Sequence, residues 1–241
     1  MQSEILLTND DGIRAAGLSA LETALSSLGH ITTVAPDREM SANSHRITVH
    51  LQAPHYYSAG KNRFAVEGSP ADCVILACDR ILKQLPALVI SGVNHGLNLG
   101  GDINYSGTVS AAFEAALQGL PAIAVSSFFS NKEDYSDAAR VTARIASQVL
   151  QHGIPPDVVL NVNYPQSWNG SVRLTRQGRQ CGPTDSRKSR QSVIGANHTL
   201  MTDLEAIAAG YVSVSPLHLD RTAHSHVERL TDWLDGLEWS E

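Results

Sequence analysis

The run Ile5-Leu6-Leu7-Thr8-Asn9-Asp10-Asp11-Gly12 carries an apolar segment straight into two adjacent carboxylates and a glycine. Three consecutive apolar residues, Ile5 to Leu7, suit a central parallel strand buried on both faces. Asn9, Asp10, Asp11 and Gly12 favour turns over strands, so the strand stops here and its carboxyl end opens into a loop. In open α/β sheets, ligands sit at that edge. Asp10 and Asp11 repel each other, and keeping both ionised at the rim of an apolar strand is costly unless a cation or several donors compensate. A metal ion would do so. An Asx turn that only ends the strand and caps the next helix would use the same residues.

Outward from this turn, Leu18, Leu21, Leu25 and Leu28 recur at helical spacing up to Gly29, and Ile31 to Ala35 reads as the next strand. Strand, helix and strand within about 30 residues form a βαβ unit with a right-handed crossover. Pro36 to His45 is a polar loop, again at a strand's carboxyl edge, and it faces the first. Arg46 to Leu51 alternates like a strand, Phe64 to Glu67 is a second short one, and Pro54 to Asn62 between them reads as a hairpin or surface excursion. Ser69 caps a helix that has Pro70 at its first position and runs to about Leu82. Further strands are expected at Ala87 to Ser91, Ala122 to Ser126 and Val158 to Val162, with helices after Thr108 and over Ser136 to His152.

The alternating pattern persists to about residue 165. Beyond it, Val172 to Thr175 and Ser192 to Ile194 resemble hairpin material, and Arg173, Arg176, Arg179, Arg187, Lys188 and Arg190 make the region locally basic. That region is either a solvated loop or a surface facing phosphate or a second subunit. Asp203 to Ala209 is helical, Tyr211 to Ser215 a strand, and Val227, Leu230, Leu234 and Leu237 mark a final amphipathic helix. The expected architecture is an α/β core over residues 1–165, a mostly parallel sheet with helices on both faces, followed by a smaller hairpin-and-helix extension over 166–241.

Bulk properties narrow the function. With 18 basic and 24 acidic residues the formal charge is −6, so nothing draws the whole molecule to a nucleic acid polymer or an anionic membrane. No run approaches the roughly 18 apolar residues of a membrane span, and a strand begins within four residues of the N-terminus, so a cytoplasmic location is expected. Three cysteines, Cys73, Cys78 and Cys181, match no usual zinc or redox spacing, and Cys73 and Cys78, set among Val74, Ile75, Leu76 and Ala77, read as buried free thiols.

Two later stretches supply partners for the aspartates. Gly92-Val93-Asn94-His95-Gly96-Leu97-Asn98-Leu99-Gly100-Gly101-Asp102 is a loop able to bring backbone close to a ligand and rich in amide groups. It has neither the GxGxxG of a dinucleotide fold nor a P-loop lysine. Ser106-Gly107-Thr108 then opens a helix, where unpaired N–H groups, two hydroxyls and the helix dipole suit a phosphate; helix capping by Ser106 or Thr108 is the plainer use. Asp10, Asp11, Ser41 and Asn94 follow or end three strands of one sheet and all offer oxygen, which suits one hard divalent cation such as Mg²⁺ or Mn²⁺. With Asn98, Ser106, Gly107 and Thr108 as the phosphate side, the arrangement reads as metal-assisted hydrolysis of a phosphate ester.

Thr8 to Gly12, Ala35 to Arg38, Gly68 to Asp72, Ser91 to Gly96, Asn98 to Gly100, Tyr105 to Val109 and Gly210 to Leu217 together resemble, in order and over nearly the whole chain, the blocks of the SurE survival proteins. The resemblance implies a Rossmann-like core and a C-terminal extension exchanged between subunits of a dimer, sometimes assembled into a tetramer. It implies metal-dependent dephosphorylation of nucleoside 5′- and often 3′-monophosphates, with short polyphosphate trimmed by some members. Asp10, Asp11, Ser41 and Asn94 would hold the cation; Asp10 and Asp11, the catalytic pair, would act as ligands only, or one as nucleophile or base. A nucleotide-binding regulator without turnover, or a phosphatase for another metabolite, are the competing readings. Two departures stand out: Arg46 occupies a position where a serine is common, and the Arg187 to Asp203 segment is short.

Overall fold

The computed structural model describes residues 3–49, 54–128, 134–179, 200–235 and 237. Its strands are β1 (Glu4–Thr8), β2 (His30–Pro36), β3 (Tyr56–Gly60), β4 (Arg63–Val66), β5 (Leu88–His95), β6 (Ala122–Ser127), β7 (Val158–Tyr164), β8 (Val172–Leu174) and β9 (Val212–His218). The helices are α1 (Ala16–Leu25), α2 (Pro70–Leu76), α3 (Gly107–Leu117), α4 (Ser136–His152), α5 (Asp203–Ala208) and α6 (Val227–Asp235). All nine strands join one sheet in the order β3-β4-β2-β1-β5-β6-β7-β9-β8. From β4 to β7 every neighbour is parallel, and β3 and β9 join antiparallel at either side. Counting the parallel strands alone, this is the 3-2-1-4-5-6 order of a Rossmann-like sheet, whose order reverses between β1 and β5.

Alternation within the strands builds two cores. Ile5 and Leu7 of β1, Leu88 and Ile90 of β5, and Ile123 and Val125 of β6 pack with Leu18, Leu21 and Leu25 of α1 and Val141 and Val149 of α4. Leu6, Val89, Ala122 and Ala124 face the other way, against Val74 of α2 and Val109, Ala112 and Phe113 of α3. Each of β1, β5 and β6 is thus apolar on both faces because both are covered. Cys73 is buried among them as a free thiol raised well above its ordinary range by burial; Cys78, likewise free, is pushed up to about 11. Cys181 lies outside the described residues.

Several expected elements sit differently. Of the strand expected over Arg46 to Leu51, residues 50 and 51 lie outside the described residues, and Arg46 to Val49 is not a strand, because the Thr48 and Val49 N–H groups go to the Asp72 carboxylate at 2.8 and 3.0 Å instead of to a ladder. The hairpin falls one segment later, β3 turning into β4. The helix after Ser69 is α-helical only to Leu76 and finishes as a π turn, Ala77–Ile81. β8 pairs in parallel with β9, and its expected hairpin partner, Ser192 to Ile194, lies outside the described residues, as do Arg187, Lys188 and Arg190. β9 pairs with β7, so residues beyond 165 continue the core sheet. α6 forms, yet Val227, Leu230 and Leu234 remain 46%, 51% and 46% exposed.

Candidate active site

The sheet reverses its order where β1 ends, and the turn that follows is tied tightly. Asn9 accepts from the Gly12 N–H and donates to the Gly12 carbonyl, both at 3.1 Å. Gly12 has φ +100°, and a Cβ there would stand 3.1 Å from the Arg38 backbone, so the turn requires glycine. This places Asp10 almost wholly buried (4% exposed) and Asp11 partly so.

The start of α3 closes on Asp10. Thr108, fully buried, donates its hydroxyl to Asp10 Oδ1, and a Cβ on Gly107 would lie 2.9 Å from both Asp10 Cβ and Oδ2. Ser106 caps the helix, its Oγ accepting from the Val109 N–H at 3.1 Å. Asp11 Oδ2 accepts the His95 N–H at 3.2 Å from the end of β5. A bulge between Ser91 and Asn94 re-aims that strand end. Gly92 makes the bulge possible: its φ is +141°, and a Cβ would meet the Val125 carbonyl at 2.3 Å. Asn94 then donates its amide N–H to the Gly96 carbonyl at 2.8 Å.

Burial raises Asp10 above the ordinary carboxylate range despite the Thr108 hydrogen bonds, and the nearby Glu39 charge adds to the rise. Asp11 is pushed up to about 7, first by burial, then by the negative charges of Asp10 and Glu39, with the His95 N–H opposing. Two carboxylates held together in this way are short of positive charge. A carboxylate offers about four acceptor positions, so the donors present leave both able to take a cation. Among the described residues no three His, Cys, Asp or Glu side chains gather as a ligand set, so neutral oxygens must complete one. The Asn94 side chain, at the end of β5, carries an oxygen of that type.

Ser41 is placed differently. It is exposed and donates its Oγ to Glu39 at 2.8 Å, while the neighbouring Met40 N–H holds the loop to the Asp10 carbonyl at 2.7 Å. Asn98 is drawn into the scaffold: its amide donates to Ser126 at 2.8 Å, its N–H to Asn163 at 2.9 Å, and its carbonyl accepts from Asn161 and Asn163. Arg46 has an exposed side chain, while its carbonyl accepts from Ser69 at 2.6 Å. Residues that pattern reading passed over are Glu39 and Tyr135. Both border a hollow of about 240 Å³ with Asp11 and His95, and Tyr135 is bonded to the His95 ring. Glu39's only signal is an acidic group in the polar loop after β2.

Comparison with known proteins agrees with this frame. The family model described as "Survival protein SurE" matches residues 5–183. The protein named "5'-nucleotidase SurE" from Pelobacter propionicus is 42% identical over 246 residues, covering 95% of this chain and 99% of its own. Its namesake from Geobacter sulfurreducens is 43% identical over 247 residues, covering 95% and 93%. The crystal structure of the SurE protein from Aquifex aeolicus superposes with a TM-score of 0.83 at 36% identity, covering 96% of this chain and 99% of that one. This chain, whose sheet reverses beside an aspartate pair and which these proteins match over most of its length, belongs to the SurE family.

Proposed function

We propose that the chain is a 5′-nucleotidase that uses one divalent cation, Mg²⁺ or Mn²⁺, held by Asp10, Asp11 and Asn94, with Ser41 joining from the loop after β2. The carrying observation is the Asp10–Asp11 pair at the reversal point of the sheet, braced by α3 and raised in pKa by burial, with the Asp10 charge adding to the rise at Asp11 and Glu39 adding at both. The relatives' shared name supplies the substrate class, a nucleoside monophosphate. When bound, the cation would supply Lewis acidity toward a phosphoryl oxygen and offset the ester's negative charge. Thr108 and the His95 N–H fix the carboxylates in place, and the first turn of α3, Ser106 to Thr108, turns its positive dipole end toward the phosphate. Asn98 acts beneath that loop, binding it to β6 and β7. Water adds, the P–O ester bond breaks, the nucleoside oxygen takes a proton and inorganic phosphate leaves.

The described residues beyond 165 would serve as the extension, completing the core sheet through β9 and β8, and the exposed apolar positions of α6 support packing on a second copy of the chain in a dimer or tetramer. Removal of residues from Val227 onward should then lower the molar mass seen by light scattering. Among the described residues no helix is long and apolar enough to cross a membrane.

The test is phosphate release from 5′- and 3′-nucleoside monophosphates, a sugar phosphate and short polyphosphate, each with EDTA, Mg²⁺ or Mn²⁺. Metal-dependent release concentrated on the nucleotides is expected. Silence on every substrate with cation bound would leave a nucleotide-binding regulator, and release concentrated on the sugar phosphate a different phosphatase.

A further inference from the structure

Beyond Asn94, at the same carboxyl edge, three aromatic residues from the ends of β6 and β7 surround one open cavity. Phe128 follows β6, Tyr164 ends β7 and Trp168 lies in the loop after it. The cavity measures about 730 Å³, within the range of small-molecule sites, and Ser127, Asp137 and Gln166 complete the part that matters here. A hollow of about 630 Å³ continues it past Phe128 and Trp168.

The rings are held in position by the protein itself. The Phe128 N–H donates to the Tyr164 carbonyl at 3.0 Å, continuing the β6–β7 ladder. Trp168 donates its indole N–H to the Ser171 carbonyl at 2.9 Å and leans on Tyr164 with ring centroids 5.9 Å apart. Phe128 remains 37% exposed, which alone would be ordinary; beside two more rings around one cavity, it makes a stacking platform.

This trough adjoins the aspartate pair. His95, whose N–H binds Asp11, is the register partner of Ser127 on the cavity wall, and the Gly96 N–H donates to the Ser127 carbonyl at 3.0 Å. Asp134 and Ser136 line the aromatic cavity while Tyr135 between them lines the hollow that contains Asp11. Neighbouring strands are about 4.8 Å apart, so the end of β7 stands roughly 10 Å from that of β5. A ribose spans such a gap between a phosphate and a base.

We infer that the Phe128–Tyr164–Trp168 trough is the nucleobase subsite, in which the base stacks on Phe128 and Trp168 with the Gln166 amide at its edge. The inference rests on the nucleotidase reading for the identity of its ligand. Stacking accepts every base, because each has a π face, so ranking among bases falls to Gln166, which carries both a donor and an acceptor.

Full-length Mn²⁺-loaded protein would be titrated calorimetrically with adenosine, and KM measured for AMP and for ribose 5-phosphate, in wild type, Phe128→Ala, Trp168→Ala and Trp168→Phe. Adenosine should bind wild type and Trp168→Phe alike and weaken about tenfold or more in either alanine variant, with the AMP to ribose 5-phosphate KM ratio rising similarly. Phe128→Leu keeps the test available if Phe128→Ala does not fold. Unchanged adenosine binding in the alanine variants, or an unmoved KM ratio, overturns the subsite. AMP hydrolysis with unmoved variants sinks the subsite alone; Phe128-dependent adenosine binding without AMP hydrolysis sinks the nucleotidase reading alone.

Discussion

Thr108, on the first turn of α3, donates its hydroxyl to the buried carboxylate of Asp10, across 98 positions of sequence. The bond ties the helix start to the end of β1. Removing the hydroxyl leaves Asp10 buried with one donor fewer, so Thr108→Val should cost about 1–3 kcal/mol in the metal-free protein and lower kcat. Thr108→Ser should restore most of both. A rise in KM alone, with stability intact, would instead mark Thr108 as a direct phosphate contact.

Gly107 leaves no room for a side chain against Asp10. Gly107→Ala should therefore shift α3 or the aspartate, destabilising by about 1–3 kcal/mol and weakening Mn²⁺ binding. Chemical denaturation and a metal titration of the same sample would check it. An alanine variant with unchanged affinity would show that the helix start yields freely.

Acidity near the pair gives a signed pH dependence. Asp11 titrates near 7 when folded and near the usual carboxylate value when unfolded. Its folded form therefore holds a proton that the unfolded chain has released. The resulting stability is fully present below about pH 4 and is lost as pH rises through about 7. Melting temperature with EDTA should fall between about pH 5 and about pH 8, and added Mn²⁺ should raise it more at the higher pH, releasing protons as it binds. A melting temperature independent of pH across that window would contradict the assignment.

Asp72 works in the opposite sense. It is buried, which opposes ionisation, but accepts from Thr48, Val49 and Ser69, and those donors lower its pKa overall. Its contribution is present at neutral pH and is lost as pH falls below the ordinary carboxylate value. Asp72→Asn should release the loop that carries Ser41, cost about 2–3 kcal/mol, and speed protease cleavage between Met40 and Val49. Cleavage at the wild-type rate would show that Met40, Ser44 and His45, through Asp10, Tyr105 and Glu114, hold the loop without Asp72.

Much of this was legible in the chain because local chemistry and the fold agree. Ile5 to Leu7 is apolar and Asn9 to Gly12 prefer turns, so the strand end and its aspartates could be placed at once. The Ser136–His152 helix matched its reading at both ends, its apolar face being regular. Arg46 to Val49 deceived because its alternation is genuine, while a carboxylate 23 residues away in sequence took its amides. The bulge that aims Asn94 depends on Gly92 passing the Val125 carbonyl, a contact between strands that no local pattern encodes. Phe128, Tyr164 and Trp168 escaped for the same reason: Phe128 is far in sequence from Tyr164 and Trp168, and only the pairing of β6 with β7 brings it beside them.

The most direct test of the aspartate pair is Mn²⁺ binding and AMP turnover measured on one preparation of Asp11→Asn. Asp11 is only partly buried, and its replacement relieves repulsion with Asp10, so the variant should fold and melt at or above the wild-type temperature in EDTA. Mn²⁺ affinity should fall by about a hundredfold or more and turnover with it. A folded Asp11→Asn protein that binds Mn²⁺ and hydrolyses AMP as wild type does would contradict the site described above.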